Sequence, residues 1–448
     1  MAQSPVTPRP GTHGHPDAAA ALRLPGQPSR MAGMPKAAPL PGRRSSTALL
    51  ALLLVMITGC SSAPVPRKSA APGLACSTKT AAGRLMAVPP PRSLSLAGHP
   101  FAARALPGGR LAVVSMTVAG FPGDRGELAV LAVRRQATTL ARTVTLPATV
   151  GGADGMALTP DGRWLLVAAQ AGTAVLSVAA LERGGRHPVA GILSDAGAGQ
   201  TEVAVSGDGR YAFVTDETSG GLSVFDLALA RREGYAAPGV AVGIVPLARG
   251  PVGVAIAPGG AQVYVTTLGG YGDLGQLWVI GARRAEDGAG RSAVLGHAAA
   301  GCQPVRVAVS PDGSTVWVTA LQSNALLGYS AAALDRGSPA GKGRRPAALR
   351  AVVPVGSEPV GLLLLDGGRT ALVGDSNRGL VPGTGGGPVQ RLSVVSTAAA
   401  LAGRPAVTGS LPAGQFPRDI GYDPATGEVL VPDYISDNVE ITRAPTAP

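Results

Sequence analysis

The chain has 448 residues, a formal net charge of +12, 64 glycines, 40 prolines and an apolar content of 45%. That apolar share excludes wholesale disorder, and all-β folds often run past about 200 residues as one unit. The positive charge does not mark a nucleic-acid binder, because no basic run is interleaved with aromatics as a single-strand-binding face requires. Aromatic residues are only 3% of the chain, so any core must be built from Val, Leu, Ile and Ala.

At the N-terminal end, Arg43-Arg44 lead into an uncharged run, Thr47–Thr58, that stops at Gly59-Cys60. The run is too short to cross a bilayer as a helix and has the length of a signal-peptide core. The residues "ITGC" resemble the bacterial lipobox. That resemblance implies cleavage before Cys60, diacylglycerol on its thiol and anchorage to the outer face of the bacterial cell membrane. Residues 1–59 then read as a signal peptide with an over-long N-terminal extension. Residues 60–83, rich in Ser, Ala and Pro, read as the lipidated cysteine and a flexible tether, and 84–448 as the folded part.

Beyond the tether one pattern recurs. "VAVSGDGRYAFVTD" (Val203–Asp216), "VAIAPGGAQVYVTT" (Val254–Thr267) and "VAVSPDGSTVWVTA" (Val307–Ala320) are two apolar runs joined by a tight turn. The turn column is Pro107, Pro160, Gly207, Pro258, Pro311, Asp366 and Pro424. Seven residues after each comes a valine: Val114, Val167, Val214, Val265, Val318, Val373 and Val431. Units of about fifty residues with β-type runs signal a propeller. Each unit reads as strand A, turn, strand B, polar loop, alternating strand C, variable link and strand D. The predicted fold class is therefore all-β, a seven-bladed β-propeller of four-stranded antiparallel blades. The last unit ends after Asn438–Ala444 with no strand D, and "MAVPPPRSLSLAG" (Met86–Gly98) is a spare one. It is expected to complete blade seven and close the ring, with pairing kept near Ser93–Ala97 by the three prolines before it.

The runs "FVTD", "VYVTT" and "VWVTA", each after a Pro-Asp-Gly-like turn, resemble the YVTN-repeat β-propeller family over about residues 86–444. The Asn of that motif is replaced here by Asp216, Thr267, Ala320, Asp375 and Asp433, and no unit carries the Gly-His…Trp-Asp pattern of WD40 blades. The likeness is specific for architecture and silent on chemistry, since propellers host binders and enzymes alike.

Chemistry is expected where the loops into strand A and the B–C loops meet the central channel. Five residues before the turn column most units have Gly or Ala, but Glu202, Arg306 and Asp419 break the rule. Asp154, Glu358 and Arg418 lie close by in sequence, and the B–C loops add Asp216, Asp375 and Asp433. These nine residues form the expected site, an acidic rim with two arginines, in which Arg306 could pair with Glu202. A divalent cation is compatible with the carboxylates, although no calcium loop occurs and no cofactor is implied. Histidines are scarce and unclustered, which argues against zinc or haem. Cys76 and Cys302 could form a disulfide outside the cytoplasm, but the sequence does not set their separation.

The functional expectation is a monomeric, lipid-anchored binding or scaffolding module for an unidentified protein or small-molecule ligand. The alternative is a hydrolase like the lactonase-type propellers that share this blade plan, working at the channel mouth with metal-bound water or a side-chain base.

Overall fold

The computed structural model describes residues 74–77, 79–81, 83–119, 123–134, 137–270, 272–336, 348–377 and 390–445. The signal segment, Cys60 and most of the glycine-rich loop of blade six fall outside these residues. Seven four-stranded antiparallel sheets follow one another in the order A-B-C-D, with the A strands innermost; those of blades one to six touch in succession, and that of blade seven touches that of blade one. The seven valines are the pivot of every sheet. Each is fully buried on strand B, and the first six pair with strand A residues Ala103, Met156, Val203, Val254, Val307 and Leu362. Burying one such side chain stabilises the fold by about 1.5–3 kcal/mol.

The turns form as their residues dictate. Asp161, Asp208 and Asp312 accept the backbone N–H two residues on, from Arg163, Arg210 and Ser314. The glycine that follows each takes a left-handed φ of 66°, 70° and 71°. Hydroxyls from Thr159, Ser206 and Ser310 also donate to these carboxylates and hold their pKa values below the usual range.

The residue after the pivot valine explains the Val-Thr signature. Strand A carries a bulge before that pairing, which frees one N–H from the ladder. Ser115, Thr215, Thr266 and Thr319 accept it, from Ala102, Glu202, Gly253 and Arg306 at 3.0–3.1 Å. All four hydroxyls then donate to the next blade: Ser115 to the Asp154 carbonyl, Thr215 to that of Val252, Thr266 to that of Val305 and Thr319 to that of Val360. One small side chain thus satisfies a bulge and ties two blades together.

The ring closes as expected. Arg92–Ser95 pairs antiparallel with Asn438–Arg443 as the outer strand of blade seven. The start of the folded part differs from the expectation, because the chain is docked from Leu74 onward. Leu74 is buried among residues of blades four and five, Ser77 and Asn324 exchange hydrogen bonds with each other's segments, and Ala81 donates to Val355. Arg84 and Met86 flank Ser410 on the outer strand of blade six. The described residues between 74 and 91 therefore form a strap along blades five and six that reaches the closing strand. Cys76 is bonded to Cys302, with Cα atoms 5.2 Å apart, so the strap is stapled at its far end.

Candidate functional site

Strand A sets the geometry of the channel. The residues five before the turn, Ala102, Gly155, Glu202, Gly253, Arg306, Gly361 and Asp419, are all buried. One residue nearer the loops, Val252, Val305 and Val360 join Phe416 and Leu321 in an apolar plug. Toward the turns the pattern reverses, and every blade has a half-buried residue two before its turn, six of them three before as well. Both faces of a blade are packed, so solvent reaches these positions only along the axis. The channel is thus sealed on the loop side and open on the turn side.

Just inside the seal lies a charged layer. Arg306 Nη2 stands 2.6 Å from Glu202 Oε1, spanning blades five and three, with both side chains only 9% exposed. Arg104 Nη1 lies 2.5 Å from Asp419 Oδ2, joining blade one to blade seven. Arg418 packs over the Phe101 ring at 4.3 Å, with Phe416 and Tyr434 at 5.3 and 5.2 Å. Arg306 approaches the same Phe101 ring at 5.4 Å. Long side chains fit here because their neighbours are small: a Cβ on Gly155 would fall 2.4 Å from Glu202 Oε2.

The carboxylates respond differently to this enclosure. Burial pushes Asp154 up to about 7, opposed by Arg418. Burial also raises Glu202 despite Arg306. For Asp419 burial acts in the same direction, but Arg104 and Arg306 outweigh it and hold the group below the usual range.

Of the nine expected residues, the structure brings together Asp154, Glu202, Arg306, Arg418 and Asp419 in one layer, with Glu202, Arg306 and Asp419 buried and Asp154 and Arg418 half-buried. Glu358 is half-buried on the loop face, where its N–H donates to Asn324 Oδ1 at 2.8 Å. Asp216, Asp375 and Asp433 are not part of this cluster. They are buried inside their own blades at the crossovers into strand A. Ser223 and Ser393 donate to Asp216 and Asp375 at 2.7 and 2.8 Å, whereas neither carboxylate oxygen of the buried Asp433 has a hydrogen-bond partner among the described residues. A Cβ on Gly197, Gly356 or Gly414 would strike these carboxylates, so the crossover glycine and the aspartate are one device. Burial raises all three, to about 7, 7 and 8.

Sequence reasoning missed Arg104, Phe101 and Tyr434. Arg104 was findable, as it interrupts the column of Ala157, Ala204, Ala255 and Ala308 on strand A just as Glu202 interrupts the glycines. It also left His99 without a role. The structure ties His99 Nδ1 to Asp437 Oδ1 at 2.7 Å and to the Tyr434 carbonyl at 3.2 Å, with its ring stacked 5.0 Å from that of Tyr434.

The loop face carries a further asymmetry. Among the described residues, seven non-glycine residues have a left-handed backbone, and six of them lie on this face in blades five to seven: Gln303, Asn324, Glu358, Asn377, Phe416 and Asp437. Blades two to four meet the same demand with Gly151, Gly199, Gly220, Gly250 and Gly269. Side chains at such positions cost about 1 kcal/mol or more each, least for Asn and Asp.

As for metal, three arginines interleaved with the carboxylates do not make an all-oxygen cation cage, and among the described residues no three His, Cys, Asp or Glu side chains converge to hold an ion.

Fold and site together define a seven-bladed β-propeller with a charged, loop-sealed channel. No protein-family model matches the chain, and no curated protein matches it in sequence. Among solved structures it is similar to Kuenenia stuttgartiensis hydrazine synthase, with a TM-score of 0.56, 16% identity and coverage of 79% of this chain and 97% of that one. It is also similar to the β-propeller domain of Myceliophteria thermophila Cps50 (Swd1), with a TM-score of 0.55, 12% identity and coverage of 79% and 100%. At these identities the likeness concerns the fold alone.

Proposed function

We propose that this chain is a YVTN-type propeller, lipid-anchored through Cys60 outside the cytoplasm, that presents the loop face of blades five to seven as a binding or scaffolding surface. The observation that carries the reading is the set of six side chains kept at left-handed positions on that face. Gly would serve the backbone there without strain, so Gln303 and Glu358 are retained for what their side chains touch, while Phe416 packs inward in the apolar plug. The disulfide supports an oxidising compartment. The test is capture from membranes with the full chain against the Gln303→Gly, Glu358→Gly variant, which leaves the buried Phe416 in place. The expected result is an unchanged melting temperature and loss of the captured ligand or partner. Equal capture by both proteins would remove the surface from consideration. Separately, Cys60→Ala should move the protein from the membrane to the soluble fraction.

One observation favours the hydrolase as a second reading. Both groups facing His99 Nδ1 are acceptors, so in the neutral imidazole Nδ1 holds the hydrogen and Nε2, on a half-exposed ring, carries the lone pair. That is the arrangement of a general base, with the Arg418 guanidinium on the same Tyr434 ring. Turnover of a lactone and ester panel that disappears in His99→Asn would support it, and an inert panel would end it.

A further inference from the structure

We propose that the channel, entered from the turn face, binds an unbranched alkyl carboxylate, with its head at Arg306 and Arg104 and its tail running toward the turns. The proposal concerns the opposite face from the binding surface above and does not rest on it.

The first observation is an unmet donor. Arg306 is 7% exposed, and its Nε finds no hydrogen-bond acceptor. Its Nη2 touches Glu202 at 2.6 Å as an ion pair, but off the hydrogen-bonding axis. Leaving such a group unpaired is costly, and guanidinium offers only donors, so whatever completes it must accept. Arg104 lies further along the channel, with its side chain 29% exposed. Its Nε is taken by the Met156 carbonyl, and Nη1 by Asp419 and the Ala103 carbonyl.

The wall below this head is apolar, with its small residues on blades two to five. Alanines 157, 204, 255 and 308 are half-buried in one column with Leu363, and Leu158, Val205, Ile256, Val309, Leu364 and Tyr422 in the next. Arg104 is the one charged residue in those two columns. Small side chains leave room for a narrow ligand, and aliphatic walls favour a hydrocarbon. From the charged layer to the turn column is five residues of strand, about 16 Å, which matches an extended chain rather than a ring system.

Charge points the same way. Arg104, Arg306 and Arg418 face Asp154, Glu202 and Asp419, and burial pushes Asp154 up to about 7, so that it is partly protonated near neutrality. The layer is then net positive near neutrality, and a single negative head compensates it. A dianion would bring a second charge into this largely buried layer, at a steep desolvation cost.

The experiment is isothermal titration of the full chain with acetate, butyrate and octanoate, with octylammonium as the opposite-charge control. The expected result is saturable one-to-one binding of octanoate, weaker binding of butyrate and none of octylammonium, with affinity rising by up to about fourfold per added methylene. Removing Arg306 alone would strand Glu202, so the site variant is the neutral pair Glu202→Gln with Arg306→Gln, checked for folding by circular dichroism. It should lose octanoate binding. Silence of the wild-type chain toward octanoate at millimolar concentration overturns the proposal. So does equal binding by the neutral pair, or equal binding of octylammonium.

Discussion

Blades two to four and blades five to seven have the same strands, turns and pivot valines, yet their loop faces are built differently. In the first group the left-handed loop positions are glycines. In the second they carry Gln303, Asn324, Glu358, Asn377, Phe416 and Asp437. Some of these side chains work within the ring, as Asn324 does in accepting from Glu358 N–H and donating to the Ser77 carbonyl. The strap and its disulfide lie on the same side of the ring, against blades four to six. The comparison teaches that a repeat can keep one backbone while confining strain, side-chain chemistry and covalent reinforcement to half its circumference.

The most damaging way to test the division is to cut the ion pair that crosses it. Arg306→Ala leaves Glu202 buried without its partner and should cost about 3–5 kcal/mol in urea unfolding. A loss below about 1 kcal/mol would mean that the layer is solvated in solution. Next comes the staple on the second half. Cys76→Ser should cost about 2–5 kcal/mol, the range for native disulfides that close long loops. Hydrogen exchange should accelerate over residues 74–91 and leave blades two and three unchanged.

Acid titration comes third. Asp154, Asp216 and Asp375 have folded pKa values raised to about 7, and Asp433 to about 8. Between pH 4 and these values the native state holds more protons than the unfolded chain, so stability must fall as pH rises through that window. The melting temperature should decline from pH 5 to pH 8, and Asp375→Asn should flatten part of the slope. A rising profile would show that the crossover carboxylates are ionised and well solvated.

The smallest effects bear most directly on the two loop faces. Gly250→Ala puts a Cβ at φ 70° and 3.2 Å from Leu268 Cβ, at a cost of about 1–2 kcal/mol. Gln303→Gly, at the equivalent place in blade five, should change stability by less than about 0.5 kcal/mol, because relieved strain offsets the added freedom of the unfolded chain. Equal costs at both positions would erase the distinction between the two halves.

Much of the fold was legible because its determinants are local and repeated. The turn-to-valine distance fixes strand register, and the missing last strand beside a spare first one implies the ring closure that Arg92–Ser95 makes. The site was legible only in part. Glu202, Arg306 and Asp419 stood out as breaks in a column of small residues, and the structure brings them together. The depth at which they sit depends on how seven A strands converge, which no single unit encodes. Asp216, Asp375 and Asp433 read as rim residues because they end strand B near the loops. The crossover that covers them comes from the preceding blade, so the burial of Asp375 is set by Gly356. The disulfide was hidden for a related reason: its cysteines are 226 residues apart and meet only once the ring is shut.

The strap also decides how the molecule carries mechanical load. A pull applied upstream of residue 74 reaches the covalent link at Cys76 before the short ladder of Arg92–Ser95. Tension is therefore delivered to the wall between blades four and five, and the closing strand is shielded from being unzipped one hydrogen bond at a time.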